Sequence, residues 1–390
     1  MIKREVAVIG IGTTKFGELW DKSLRALGME AGLKAIKDAG IYSQDLEALY
    51  IGNMSGGRFI QQEHIAPLIS DYVGLASYHL PAVKVEAGGA SGGLAFHQAY
   101  AAVASGLYDI VLVGGAEKMT DVGENEASAI LATSLDQEWE AFFGVTVASL
   151  YAMMARRHIY EYGTTREQLA EVAVKNHYHA SMNPDAQFRK PISKDVVLNA
   201  NVVASPLGVF DCAPISDGAA ALVLCPLKRA KEFTERPVKV AASAVATDTI
   251  ALHHRKSLTT MLSTVKASER AYKMAGIKPS EIDVAEVHDS FTISEIMAIE
   301  DLGFFKKGEG GRAVEEKRTY LNCEISINTS GGLKARGQPV GATGVAQIVE
   351  IVQQLRGEAG KRQLKEAERG LTHNLGGTGA TAVVNILEVI

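Results

Sequence analysis

The sequence predicts a layered α/β protein built from two similar halves, with a loop-rich insertion in the first. Three observations predict it. Apolar runs of strand length alternate with helical patterns towards both ends of the chain, one helix–turn–strand segment occurs twice, and residues 116–238 break the alternation. Strand, helix and strand in that order belong to a layered fold with a mainly parallel core.

Residues 6–9 form the first strand-like run. Residues 24–38 place apolar side chains at three- and four-residue spacing, the period of a helix. Runs at 48–51, 82–85 and 110–113 read as further strands, with a helix over 90–105 between the last two. The second half repeats the first. Ala35-Ile36-Lys37-Asp38-Ala39-Gly40-Ile41, then Asp45-Leu46-Glu47, corresponds to Ala271-Tyr272-Lys273-Met274-Ala275-Gly276-Ile277, then Glu281-Ile282-Asp283. In both copies a helix ends at glycine, a short turn follows and a strand begins. The halves are about 1–115 and 239–390, packed as a pseudo-dimer. Between them, 145–162 and 166–180 read as helices and 183–213 as a loop-rich run holding prolines and glycines. Segment 116–238 is therefore a large insertion over the first half, of the size that forms lids or binding loops.

Composition narrows the function. The 390 residues are 47% hydrophobic and 22% charged, with a net charge of −5, enough chain for large buried cores. No basic run interleaved with aromatics points to nucleic acid. No apolar stretch is long enough to span a membrane. The chain opens on a strand-like run, 5–10, without the layout of a signal peptide. Three cysteines, Cys212, Cys225 and Cys323, form no CxxC pair and no metal-ligand pattern, so no metal is expected and a reduced, cytoplasmic protein is.

Four segments carry the chemistry: Gly88-Gly89-Ala90-Ser91-Gly92-Gly93, His288-Asp289-Ser290-Phe291, Gly337-Gln338-Pro339-Val340-Gly341-Ala342-Thr343-Gly344 and His373-Asn374-Leu375-Gly376-Gly377-Thr378-Gly379. Each sits where an expected strand ends or a helix begins, and such ends converge on one rim of an α/β layer protein. Gly10-Ile11-Gly12 invites a dinucleotide reading, but Lys15 stands where the third glycine of that fingerprint belongs.

With Asn53-Met54-Ser55, the run from Gly114 to Thr120, Asp211-Cys212-Ala213-Pro214 and Asn328-Thr329-Ser330-Gly331-Gly332, these segments resemble the thiolase superfamily over essentially the whole chain. The resemblance is to the archaeal branch related to sterol-carrier-protein-2 thiolase. It implies a duplicated α-β-α-β-α fold with an inserted loop domain, and the reversible Claisen condensation of acyl-coenzyme A thioesters. In that chemistry a cysteine at a helix N-terminus attacks the thioester, its thiolate favoured by the helix dipole and a histidine. Backbone N–H groups at the cysteine and in the C-terminal glycine loop hold an oxyanion. The histidine of a Gly-His-Pro motif activates the cysteine, and a second cysteine moves the proton at the α-carbon.

The chain departs from that pattern at three places. Gly89 stands at the nucleophile, Ser290 at the second cysteine and Gln338 at the activating histidine. His288, Asn374, Gly376 and Asn328 are retained. A serine hydroxyl is far too basic to replace a thiol, and glutamine is no base. A cysteine-dependent ping-pong mechanism is therefore not expected.

Each residue has a plainer reading. Gly88 and Gly89 alone are turn glycines and His288 alone a structural histidine; the surrounding motifs make them a vacated nucleophile position and a pocket residue. Asn374 caps its turn or touches a ligand. Cys212 and Cys225 read as small buried hydrophobes, and Met153, Met154, Arg156, Arg157 and His158 as a helix with a packed and a solvated face. The resemblance implies coenzyme A or an acyl-CoA as ligand rather than a bound cofactor, with Ala246, Thr247 and Gly332 along it. It also implies at least a homodimer, and an assembly with hydroxymethylglutaryl-CoA synthase through a zinc-ribbon/OB-fold companion. Three functions follow: an acyl-CoA-handling protein of acyltransferase descent, a silent CoA-binding scaffold, or a nucleophile-free retro-aldol or decarboxylation, for which Gly89 leaves extra room.

Overall fold

The computed structural model describes residues 4–390. Among these residues twelve strands form: β1 Val6–Thr13, β2 Ala48–Gly52, β3 Ala82–Val85, β4 Val111–Glu117, β5 Val202–Ala204, β6 Leu207–Gly208, β7 Gly218–Pro226, β8 Val238–Thr247, β9 Val284–Glu286, β10 Ser326–Ile327, β11 Arg369–Gly376 and β12 Thr381–Val389. Ten make one sheet in the order β10-β9-β11-β12-β8-β1-β7-β4-β2-β3, and β5 with β6 makes a separate ribbon.

The duplication is visible in this order. Outwards from the β1–β8 seam, β1-β7-β4-β2-β3 is matched by β8-β12-β11-β9-β10, with the same sense at each step. The repeated segment explains the match locally. Helix Leu24–Asp38 ends before Gly40 (φ +65°) and helix Leu262–Ala275 at Gly276 (φ +72°). A glycine in the left-handed region stops each helix, and a short 3-10 turn then feeds β2 or β9.

The core is not mainly parallel, as the strand–helix–strand reading expected. Only the outer pairings, β3–β2–β4 and β10–β9–β11, are parallel; the five pairings between β4 and β11 are antiparallel. Antiparallel neighbours need no crossover helix. β12 returns from β11 through a short turn, and β7 returns from the insertion. β7 lies within 116–238 in sequence yet pairs with both β1 and β4, so it belongs to the first half's sheet.

Helices Leu24–Asp38 and Leu262–Ala275 cover the outer faces of the two half-sheets. Helices Ser91–Ser105 and Thr343–Arg356 touch each other and strands of both halves, forming the central layer. Thr343–Arg356 is buried at every residue except Gln353. The pair meets on glycine. A Cβ on Gly92 would lie 2.7 Å from the Gly341 carbonyl, and one on Gly344 would run into the Gly93 nitrogen and the Asn374 side-chain oxygen.

The two long helices of the insertion pack on the second half, while its helix Glu124–Leu131 clusters with Met54 and Phe59 of the first. Helix Arg166–Ser181 seats Lys175 in a buried pair with Glu295 (2.6 Å), and His158 of helix Val147–Tyr162 meets Glu300 (3.1 Å). Charges this deep are tolerated only when paired, so these contacts fix where the insertion sits. Met154 is buried beside them while Met153 is exposed. The loop-rich run holds a short helix, Lys194–Leu198, besides the β5–β6 ribbon. Among the described residues, no helix is long and apolar enough to cross a membrane.

The central crossing tolerates no side chain at Gly344. Gly344→Ala is expected to lower stability by roughly 3 kcal/mol, read as a reduced urea midpoint. Gly123→Ala, where open space surrounds the new methyl, should move that midpoint by less than about 1 kcal/mol.

Candidate functional site

Both central helices begin at one cleft. It measures ≈ 580 Å³ out to its open mouth, and Gly89, His288, Ser290 and Gln338 all line it. The structure thus brings together four positions spread over 250 residues of sequence. Two helix N-termini, at Ser91 and Thr343, place their positive ends on this rim.

Buried carboxylates hold the loops that shape it. Glu117, at the end of β4, accepts hydrogen bonds from the backbone of Met54, Ser55 and Gly341 and from the Asn53 amide. Burial lifts its pKa to about 7 against those bonds. Asp217 pairs with Lys118 at 2.7 Å and accepts from Met119 and Thr120. Met54 and Met119 are thereby fixed in the apolar wall, with Val340 and Phe291.

Ser91 ties the Gly88-Gly89 turn: its hydroxyl accepts from Ala87 N–H and donates to the Gly88 carbonyl. Gly89 itself has little room. A Cβ there would sit 2.7 Å from the Leu375 carbonyl and 3.1 Å and 3.3 Å from His288 Cε1 and Nε2. The vacated side-chain position is closed by backbone, so the extra room expected at Gly89 is not found there.

Asn374 does more than cap a turn. Its Nδ2 donates to the Gly89 carbonyl (3.0 Å) and lies 3.1 Å from His288 Nδ1, while its Oδ1 accepts from Gly93 N–H (3.1 Å). With Nδ2 donating to Nδ1, the neutral ring carries its proton on Nε2, the edge facing Gly89. Burial pushes His288 down to about 3, so the ring stays neutral. It is a hydrogen-bond donor, not a base.

Asp289 points away from the cleft and accepts from Leu333 and Lys334 N–H and from Asn176 Nδ2. Burial, with Glu295 beside it, pushes its pKa up. Asn328 holds the same segment through Val287 N–H. Gly332 lies beneath Asp289, where a Cβ would strike the carboxylate. Gly376 is packed against the Ala87 carbonyl, which leaves its neighbour Gly377 in the lining. Ala246 and Thr247 stand at the end of β8 opposite Ala382 and Thr381. The structure brings neither these two nor Gly332 to the cleft wall.

Burial raises the Cys212 and Cys225 thiols to about 12, and neither lines the cleft; Cys323 is exposed elsewhere. The cleft lining carries no charged side chain. Its polar groups are a neutral imidazole N–H, the Ser290 hydroxyl, the Ser134 hydroxyl, which donates to the Leu131 carbonyl, the Gln338 amide and backbone. Sequence reading missed the Leu375 carbonyl, and also Met54 and Met119, which sat inside quoted motifs without a role. Nothing local in the sequence marks Leu375; only the β11 turn places its carbonyl.

The neutrality of His288 has a measurable sign. Its folded pKa lies below its unfolded value of about 6.5, so only the unfolded chain takes up that proton between the two. The stability it contributes is present above about pH 6.5 and lost as pH falls towards 3. NMR of the His288 ring is expected to show no titration from pH 8 to 5, with the nitrogen shifts of the Nε2–H tautomer.

The thiolase N-terminal domain family matches residues 6–228 and the thiolase C-terminal domain-like family residues 244–389. Acetyl-CoA acetyltransferase of Methanothermobacter thermautotrophicus is 58% identical, the alignment covering 98% of this chain and 99% of that one. Sterol carrier protein 2 of Gallus gallus is 34% identical over 98% of this chain and 72% of its own. Among solved structures, the Ltp2-ChsH2(DUF35) aldolase superposes with a TM-score of 0.86 at 27% identity, covering 100% of this chain and 99% of that one. Sequence matches over both halves and a shared layered architecture agree: the chain belongs to the thiolase family.

Proposed function

We propose that this protein binds an acyl-coenzyme A thioester in the cleft beside Gly89 and polarises its carbonyl without forming a covalent acyl-enzyme. The observation that carries this reading is the cleft's lining. Every polar group there is neutral, His288 presents Nε2–H towards Gly89, and the place of a nucleophilic side chain is filled by the Leu375 carbonyl. Neutral donors at a helix N-terminus favour a developing oxyanion, whereas covalent acyl transfer needs an activated nucleophile, and the lining holds no thiol and no base beside its serine hydroxyls. The similarity to acetyl-CoA acetyltransferases supports the thioester as ligand.

A second reading is carbon–carbon cleavage of the bound thioester, supported by the likeness to the Ltp2-ChsH2(DUF35) aldolase. Decarboxylation suits the donors best, since loss of carbon dioxide needs a stabilised enolate oxygen and no base. A retro-aldol also requires a base for the β-hydroxyl, which the lining lacks. The same likeness supports assembly with a DUF35-type companion, and a homodimer or a scaffold role beside a synthase fits that assembly.

Thiolysis of acetoacetyl-CoA by the purified protein is expected to be absent. After incubation with acetyl-CoA, the denatured protein should show no acyl adduct by intact-mass spectrometry, while calorimetry detects thioester binding at or below about millimolar Kd. A stable adduct overturns the non-covalent reading; no binding overturns the ligand.

A further inference from the structure

The turn between β11 and β12, from Gly376 to Gly379, has a donor on every carbonyl. Gly376 accepts from Gly379 and Ala380 N–H inside the turn. The Tyr151 hydroxyl donates to the Gly377 carbonyl (3.3 Å) and the Ser263 hydroxyl to that of Gly379 (2.6 Å). Arg255 takes the residue between them. Its Nη1 donates to the Thr378 carbonyl and its Nη2 to the Thr378 hydroxyl (3.0 Å). Nη2 also reaches the Thr249 carbonyl (3.3 Å), so the fork ties the turn to the segment that follows β8.

The same bonds place the amides. A trans peptide sets its C=O and N–H on opposite sides. The unit joining Gly376 to Gly377 directs its carbonyl into the turn, so Gly377 N–H points out of it. That side is the cleft: Gly377 lines it, and a Cβ on Gly88 would lie 3.2 Å from the Gly377 nitrogen. Among the described residues Gly377 N–H has no acceptor. Three glycines in four residues admit many backbone shapes, and the one adopted, with Gly377 at φ +59°, therefore rests on its outside partners. Of these Arg255 alone is charged and alone makes two bonds, and charge-assisted donors hold more strongly than neutral ones. The Tyr151 contact is long for an O–H···O bond.

We propose that Arg255 is a positioning residue: its fork on Thr378 holds the turn so that Gly377 N–H faces the cleft as a donor to the oxygen of a bound thioester. Arg255 does not line the cleft and acts only through the backbone it grips. The segment between β8 and helix Leu262–Ala275 thereby takes part in the site without reaching it. This rests on the reading that the cleft binds a CoA thioester.

Acetoacetyl-CoA tests it on the full-length chain. Donors to the bound oxygen favour the enolate, which absorbs in the ultraviolet, and the enolate-to-ketone ratio at saturation is a property of the bound ligand. A purely structural role would lower the amount of folded protein and leave that ratio unchanged. In Arg255→Ala the ratio is expected to fall about tenfold, the loss of one ordinary hydrogen bond to the oxygen. Arg255→Lys keeps the charge without the fork and should recover little of it. Thr378→Val removes one of the two acceptors and should lower the ratio about threefold, which keeps the test open if Arg255→Ala does not fold. Saturable binding with an unchanged ratio in Arg255→Ala, or in Thr378→Val where only that variant folds, overturns the proposal, as does a wild-type ratio in Arg255→Lys. Should wild-type protein show no saturable binding of acetoacetyl-CoA, the thioester reading falls and this proposal with it.

Discussion

The site depends on one side-chain amide, that of Asn374. Its oxygen receives Gly93 N–H at the start of one central helix, and its nitrogen binds the Gly89 carbonyl and the His288 ring. It reaches all three only because Gly93 and Gly344 lack side chains where the central helices cross; a Cβ on either would collide with that oxygen. The glycines at the crossing therefore serve the chemistry as well as the packing. They let a polar group from β11 into the space between two helix N-termini, where it fixes a tautomer 86 residues away in sequence.

The fixed tautomer decides what the cleft can do. An imidazole that accepts at Nδ1 and is too buried to gain a second proton offers one N–H and nothing more. Set between two positive helix ends and an apolar wall holding Met54 and Met119, that N–H acts in a low-dielectric space where a neutral donor counts for more than in water. The lining thus presents hydrogen-bond donors and acceptors with no thiol and no charged side chain among them, and the Asn374–His288 pair sets their direction.

Much of this was legible in the sequence because it is local. The helix at Leu24–Asp38 and the strand at Ala82–Val85 follow from periodicity and from the glycines or turns that end them. The duplication was legible because the same stop signal occurs at Gly40 and Gly276. The family motifs located Gly89, His288, Ser290 and Gln338, which the fold brings to one cleft. What escaped depends on partners distant in the chain. The antiparallel seam arises because β1 meets β8, and no pattern within either strand names the other. The insertion's position is set by pairs such as Lys175 with Glu295, 120 residues apart. The crowding at Gly89 comes from a backbone carbonyl, a group every residue has and no sequence distinguishes.

That carbonyl also bears on engineering. A cysteine placed at Gly89 would meet the Leu375 backbone before it met any substrate, and backbone cannot step aside as a flexible side chain can. The turn after β11 would have to withdraw as well, so the closed position belongs to two segments at once, and a usable side chain there requires both to be rebuilt together.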